Sequence, residues 1–356
     1  MSGAAQLEVV APGAYATVQD LGRRGYRRIG VPWAGVLDPR LMRIANALVG
    51  NAEGAPVIES FHGGLQLAAR GATLRVAVAG DALIEVDHAG AVHKLSAWRS
   101  LTLAEGELLR VRRLAAGRIV VVAVEGMVLP QVLGSASTYA RAALGGVDGK
   151  ALVAGTRLPA AAASARRDMM LGETPAPSTG PIRVVAGPQA DHFSSDTLAA
   201  FVAAEYRVTA DADRMGVRLE GLVLEHSGAC EIVSDATVPG SIQVPGNGQP
   251  IVLLADAQTA GGYPKIATVI GADLPRVAAA RPGQVLRFAL VEPAEGERIA
   301  RAAEAETRAL LAALRPLRIG GIDEAALYAA NLVSGVVHAL SSEYRPATAG
   351  NARARE

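Results

Sequence analysis

The chain has 356 residues, a length that suggests about two domains. It carries 35 basic and 34 acidic residues, a formal net charge of +1 with no basic stripe, which argues against nucleic acid as a partner. Half of the residues are hydrophobic (50%), yet the longest apolar run, Ile119 to Val124, falls far short of the roughly 20 residues of a membrane span.

In chain order, the opening MSGAAQLEVVAPG lacks the basic-then-apolar pattern of a secretory signal, so a cytoplasmic protein is expected. From Leu7 to Val124, short apolar runs recur between Gly, Pro and Asp: Leu65 to Leu67, Leu74 to Ala79, Leu83 to Val86, Leu101 to Leu103, Leu108 to Val111 and Ile119 to Val124. That spacing predicts an all-β barrel or sandwich. One helix interrupts it: Asp38-Pro39 is an N-cap and first-turn pair, Leu41, Ile44, Ala45 and Leu48 follow at helical spacing, and Gly50-Asn51 ends it. These elements make residues 1–158 the first domain.

Pro159 to Pro181 is rich in Ala and Pro and lacks periodicity, and reads as a linker. Strand-like runs resume over 182–293: Ile182 to Ala186, Glu205 to Val208, Val217 to Leu219, Ile232-Val233, Ile251 to Ala255, Ile266 to Ile270 and Val285 to Val291, with a short helix over Asp196 to Ala204. The lone cysteine, Cys230, lies in an apolar segment, is expected as a small buried filler and excludes an intrachain disulfide. After Pro293 a helical extension is predicted over 294–344, with helices at Ala294 to Leu314 and Asp323 to Leu340, and a disordered tail over 345–356.

Several motifs are absent. Leu144-GGVDGK-Ala151 lacks the first Gly and the final Ser or Thr of a phosphate loop, and Gly246-Asn-Gly248 lacks the third Gly of a dinucleotide fingerprint. No HExxH, CxxC or GxSxG occurs, and no metal site is expected.

Four segments have the residue types that chemistry needs. Val18-QDLGRR-Gly25, followed by Gly30-VPWA-Gly35 and Asp38, reads either as a hairpin with a capped helix or as a pocket edge bordered by Asp20, Arg23 and Asp38. Gly134-SASTYA-Arg141 sets Ser137, Thr138, Tyr139 and Arg141 beside Gly145-Gly146, a polar turn or an oxyanion loop. Asp213-RMGVRL-Glu220 alternates so that Arg214, Gly216, Arg218 and Glu220 would share a strand face, as a salt-bridge ladder or a binding face. The stretch Gln243 to Pro275 surrounds the apolar run Ile251 to Ala255 with Gln243, Asp256, Gln258, Thr259, Gly261, Gly262, Tyr263 and Lys265. Lys is rare in this chain (Lys94, Lys150 and Lys265), so one inside such a loop reads as a base or anion holder, or else as a surface group on an ordinary turn.

These segments, with Arg183 to Phe193 (RVVAGPQADHF), resemble in order the family of the 5-oxoprolinase C subunit, the Kip antagonists and the urea amidolyase carboxyltransferase unit, from about Val9 to Phe288. The resemblance implies a mainly β (α+β) protein of two cyclophilin-like β-barrel domains and a partner subunit of related fold in a hetero-oligomer. The leading function it implies is an ATP-dependent 5-oxoprolinase subunit, inactive alone, opening the lactam of 5-oxo-L-proline to L-glutamate. Catalytic groups would be Asp20, Asp256 and Lys265. Phosphate or substrate would be held by Arg23, Asp38, Ser137, Thr138, Tyr139, Arg141, Arg214, Gln243, Thr259, Gly261, Gly262 and Tyr263, with ATP in a shared or partner site. The alternatives are carboxyl transfer from carboxybiotin to urea or an amide-like acceptor, with biotin arriving on another polypeptide, and a non-catalytic regulator binding a Kip-type kinase inhibitor. The chain departs from the family's usual pattern at Ala212, Ala257, Ala260 and Thr156, where Ser, Arg, Thr and Asp are common.

Overall fold

The fold is built from strands that turn corners. In the computed structural model, which describes residues 4–88, 90–176, 178–317, 335–336 and 345–346, the first half forms a six-stranded antiparallel sheet and, with Leu314–Pro316 added at one edge, a seven-stranded one. Successive strands cross from one sheet to the other: Gln6–Pro12 to Tyr15–Gln19, Val57–Phe61 to Leu65–Arg70, Leu74–Ala79 to Ala82–His88, and Leu108–Leu114 to Ile119–Val124. Each crossing needs a backbone conformation that only Gly adopts freely. At the first, Gly13 has φ +71°, and a Cβ there would lie 2.5 Å from the carbonyl oxygen of Gly63, itself in the second corner. Between the sheets lies a core of Val, Leu, Ile and Ala, with Leu74–Ala79 and Ile119–Val124 buried along their whole length. Helix α1 (Pro39–Val49) packs on it through Met42, Ile44, Ala45, Leu48 and Val49. Its ends fall where the sequence predicts, with Asp38 as N-cap and Gly50 as a left-handed C-cap.

The second half is one eight-stranded sheet that closes on itself. Val285–Leu286 pairs with Tyr206–Ala212 at one edge, and Phe288–Leu290 pairs with Ile182–Ala186 at the other. Only Arg287 separates these two strands, so one continuous run of chain is hydrogen-bonded to both edges. Helix α2 (Ser195–Ala203), capped by the Ser194 hydroxyl, covers the barrel through Phe201, which stacks on Phe288 at 4.9 Å. This second core also takes in Leu37, Phe61 and Ile119 from the first half, so the two barrels share apolar surface within the compact unit that runs to Pro316.

The segment read as a linker is tied down. Met169–Leu171 pairs with Arg99 and with Leu314–Pro316, and the buried Arg75 guanidinium bonds Glu125 (2.7 Å), Asp168 (3.1 Å) and the Ser164 carbonyl (3.2 Å). After the second barrel, helix α3 (Leu274–Ala279) having come before its last strands, helix α4 (Pro293–Ala312) runs back to α1. There Arg43 meets Glu304 at 2.7 Å, and Arg40 meets Glu306 at 2.9 Å. No helix among the described residues is long and apolar enough to cross a membrane. In the second unit, Leu317–Glu356, Gly335–Val336 and Arg345–Pro346 pair antiparallel. At Gly335–Val336 the backbone is therefore extended, not helical as expected, and Arg345–Pro346 is paired; the rest of the expected helix and tail lies outside the described residues.

Candidate functional site

Three stretches converge where the barrels meet: the loop after Gln19, the turn-rich segment 132–150, and the loop after Ile251–Leu253. The first is folded tightly. Arg23 N–H donates to the Trp33 carbonyl (2.7 Å), Val36 N–H to the Asp20 carbonyl (2.9 Å), and Ala34 N–H to the Ala255 carbonyl (3.1 Å), which joins it to the second barrel.

Asp20 organises the second stretch. Its carboxylate accepts from the Gly22 N–H (2.8 Å), the Ala136 N–H (2.6 Å) and the hydroxyls of Ser135 (2.5 Å) and Ser137 (2.6 Å). Asp20 is thus a scaffold with its lone pairs in use. Arg23, fully buried, donates to the carbonyls of Val132 (3.1 Å) and Ser137 (2.5 Å), while its Nη1 is buried without a partner. Burial lowers the Arg23 pKa against the pull of Asp20 and Asp256. Thr138 is held by the Val18 carbonyl (3.0 Å from its hydroxyl). Tyr139 stands half-buried above, its phenol pushed up first by burial and then by Asp256, with Arg141 opposing; the Arg141 side chain is exposed.

Arg214 joins the barrels. Its guanidinium grips Asp256 in a two-point fork (3.0 and 2.9 Å) and donates to Glu59 and to the Gly35 carbonyl. Glu59 belongs to the first barrel and also accepts from the Leu37 N–H (2.7 Å). All three side chains are buried. Burial opposes the Arg214 charge, but Asp256 and Glu59 outweigh it and raise its pKa; burial raises both carboxyls, with Arg214 pulling each back down. This arrangement replaces the ladder expected over Asp213–Glu220: the strand begins at Gly216, so Arg214 precedes it and turns inward, while Arg218 and Glu220 are exposed.

The third stretch carries a second polar group. Lys265, 1% exposed, bonds Asp235 at 3.0 Å, and Gln189 donates to the same carboxylate at 2.9 Å. That hydrogen bond from Lys265 holds the Asp235 carboxyl below its ordinary range. Asp235-Ala236 pairs with Ala260-Gly261, and Gly262 accepts from the Ile232 N–H (2.8 Å), so the segment 232–238 lies over the loop that bears Thr259, Gly261, Gly262 and Tyr263. Gln243 is buried beneath it, and Tyr263 is partly exposed.

Asp20, Arg23, Ser137, Thr138, Tyr139, Arg214 and Asp256 are therefore one cluster, and Gln243, Thr259, Gly261, Gly262, Tyr263 and Lys265 its neighbour. Asp38 is not at a pocket edge: its carboxylate caps α1 through the N–H groups of Arg40 (2.9 Å) and Leu41 (3.2 Å). Cys230 is exposed rather than buried, because its surroundings are irregular loop, not strand. Sequence reasoning missed Glu59, Ser135, Asp235, Gln189 and Arg27. Glu59 had a signal: an acid in the mostly apolar run Val57–Phe61 must find a buried cation. Among the described residues no group of His, Cys, Asp and Glu is placed to hold a metal ion.

A family model described as "Carboxyltransferase domain, subdomain A and B" matches residues 29–290. The C subunit of 5-oxoprolinase from Escherichia coli (strain K12) is 36% identical over 79% of this chain and 90% of its own length. That of Haemophilus influenzae is 38% identical over 80% of this chain and 91% of its own. Among solved structures, the K. lactis urea amidolyase superimposes with a TM-score of 0.77 at 25% identity, over 86% of this chain and 20% of that one.

Proposed function

This chain belongs to the carboxyltransferase domain (subdomain A and B) family, and from that premise we propose that it is a subunit of an ATP-dependent 5-oxoprolinase, hydrolysing 5-oxo-L-proline to L-glutamate with a partner subunit of related fold. The observation that carries this reading is the match to two proteins named as the C subunit of 5-oxoprolinase, across nine-tenths of their length. The site's chemistry supports it. A small amide with a carboxylate calls for buried cationic and amide donors, and Arg23 Nη1, Arg27 Nη1 and Gln243 Nε2 are buried donors without partners. Asp256, whose proton affinity burial raises, is the acid–base group in this proposal; Arg214 orients it and Asp20 shapes the loop facing it.

The residues do not form a triphosphate cradle. Arg141 and Lys150 are exposed, Arg214 is used up by two carboxylates, and single unpaired nitrogens on Arg23 and Arg27 suit a carboxylate or carbonyl better than a polyphosphate. ATP, which would activate the lactam oxygen as a leaving group, is assigned to the partner. A second reading, carboxyl transfer from biotin carried on another polypeptide to a urea-like amide, is favoured by the likeness to urea amidolyase. The deciding experiment is glutamate release from 5-oxoproline and ATP by this chain mixed with its co-encoded partners, omitting each in turn. Glutamate that requires this chain, and falls in Asp256→Asn and Lys265→Ala, supports the first reading. A folded complex releasing none overturns it and turns attention to carboxybiotin.

A further inference from the structure

Gln243 is 2% exposed and its Nε2 has no partner, although its Oε1 accepts from Gln258 Nε2 (3.1 Å). Burying an amide donor unpaired is costly, and so it points to a group that arrives with a ligand. The orphan nitrogen faces Gly261: a Cβ on that residue would lie 2.5 Å from Nε2 and 3.4 Å from Thr237 Cγ2. Gly261 does not have the positive φ that would itself demand Gly. What its missing side chain permits is close packing: the Gln243 amide lies against the Gly261 backbone, and a side chain there would displace it.

Arg27 reaches the same place from the first barrel. One of its terminal nitrogens donates to the Thr237 carbonyl, the Thr237 hydroxyl donates to the Gln258 carbonyl, and Gln258 bonds Gln243. At the end of this chain of contacts, Arg27 Nη1 is also buried and unpaired. Two orphan donors, one neutral and one cationic, thus stand at the two ends of one chain of hydrogen bonds, with Gly261 packed against the first. A neutral amide N–H suits a neutral carbonyl oxygen, and a guanidinium suits an anion.

We infer that Gln243 and Arg27 form a substrate-reading subsite over Gly261, in which Gln243 Nε2 binds the carbonyl oxygen of a small cyclic amide and Arg27 Nη1 binds a carboxylate on the same molecule. The class of ligand rests on the functional reading above; the donor pair stands on the geometry. Gln243 and Arg27 bond Gln258 and Thr237 and not Arg214 or Asp256, so their loss is felt in binding before turnover.

The test uses the assembled complex. Gly261→Ala, Gln243→Leu and Arg27→Met are compared in steady-state turnover, with KM and kcat read separately. Calorimetry then compares their binding of 5-oxoproline and of 2-pyrrolidone, the same lactam without the carboxylate. Gly261→Ala and Gln243→Leu each weaken both ligands by about tenfold, the worth of roughly one lost hydrogen bond, with kcat little changed. Arg27→Met weakens 5-oxoproline by a similar factor and leaves 2-pyrrolidone alone, a selectivity that general damage to the fold would not produce. Turnover with an unchanged KM in all three variants overturns the subsite while leaving the 5-oxoprolinase reading in place. A complex that turns over no 5-oxoproline overturns that reading instead. The subsite is then judged with the cyclic urea 2-imidazolidone: binding lost in Gly261→Ala and Gln243→Leu upholds it, and absent or unchanged binding overturns it.

Discussion

Replacing Arg214 by Met leaves Glu59 and Asp256 as two buried carboxylates with no cation between them. At the effective dielectric of a protein site, one attraction at such a distance is worth about 4 kcal/mol. Two are lost, offset by the desolvation that the guanidinium no longer suffers, so the net cost expected is about 3–5 kcal/mol, the usual range for removing one partner of a buried ion pair. The pH dependence has a definite sign. Burial already raises both carboxyls, so their contribution favours the folded state below the unfolded pKa and is lost as pH rises through the folded value. Arg214 is the group that pulls both back down. Without it the folded values climb further, and the penalty grows with pH. Urea unfolding of the wild type and Arg214→Met at about pH 5 and about pH 8 measures this. A loss below about 1 kcal/mol at both pH values, or a greater loss at the acid end, would refute the buried triad.

Asp20→Asn puts an NH2 group where the Ala136 N–H or the serine hydroxyls now donate, and is expected to cost about 2–3 kcal/mol and to open the segment 132–150 to limited proteolysis. Gly149 (φ +65°) has no room for a side chain, since a Cβ would lie 2.1 Å from the Ala143 carbonyl carbon, whereas Gly155 (φ +85°) has nothing within 4 Å. Gly155→Ala should therefore cost about 1–2 kcal/mol from backbone strain alone and Gly149→Ala clearly more, which thermal melts would rank. The Tyr206 hydroxyl is buried without a partner, and burial pushes its pKa up to about 12. Tyr206→Phe should be neutral or stabilising by up to about 1 kcal/mol, and a clear loss of stability would reveal a missing partner.

What can be read from the sequence is local. Helix α1 is legible to the residue because Asp38, Pro39 and Gly50 state their own geometry, and so are most strands of the first barrel, because Gly punctuates their corners. What cannot be read depends on partners far apart. Glu59 and Arg214 are 155 positions apart, and no periodicity in either segment points to the other. Cys230 misleads for a related reason: its apolar neighbours suggest a strand, but Val233 is 92% exposed in a loop that covers the site instead of joining the sheet. The apparent linker misleads in the same way. Its Ala and Pro carry no period, and its order comes from the Arg75 guanidinium reaching the carbonyls of Ser164 and Arg166.

The position of the triad makes it more than a local ion pair. Glu59 is fixed in a first-barrel strand whose neighbours Ile58 and Phe61 are core residues, and Asp256 follows a second-barrel strand whose Ile251–Leu253 pairs are set by closure of that sheet. Arg214 can satisfy both only at one alignment of the barrels, because its fork fixes the guanidinium plane on Asp256 before Nη1 reaches Glu59. The loop built on Asp20 is registered to the same alignment through Ala34 and Ala255. Arg27, on the first barrel, meets Thr237 and through it Gln243 on the second. A ligand bound by both Arg27 and Gln243 must therefore span the same junction that the triad holds. It follows that disturbing the triad should loosen substrate binding as well as the fold. Glu59→Gln, which keeps the shape and the Leu37 contact but sets an amide NH2 against Arg214 Nη1, is the variant in which that coupling would appear as a raised KM together with a loss of stability of about 2–3 kcal/mol.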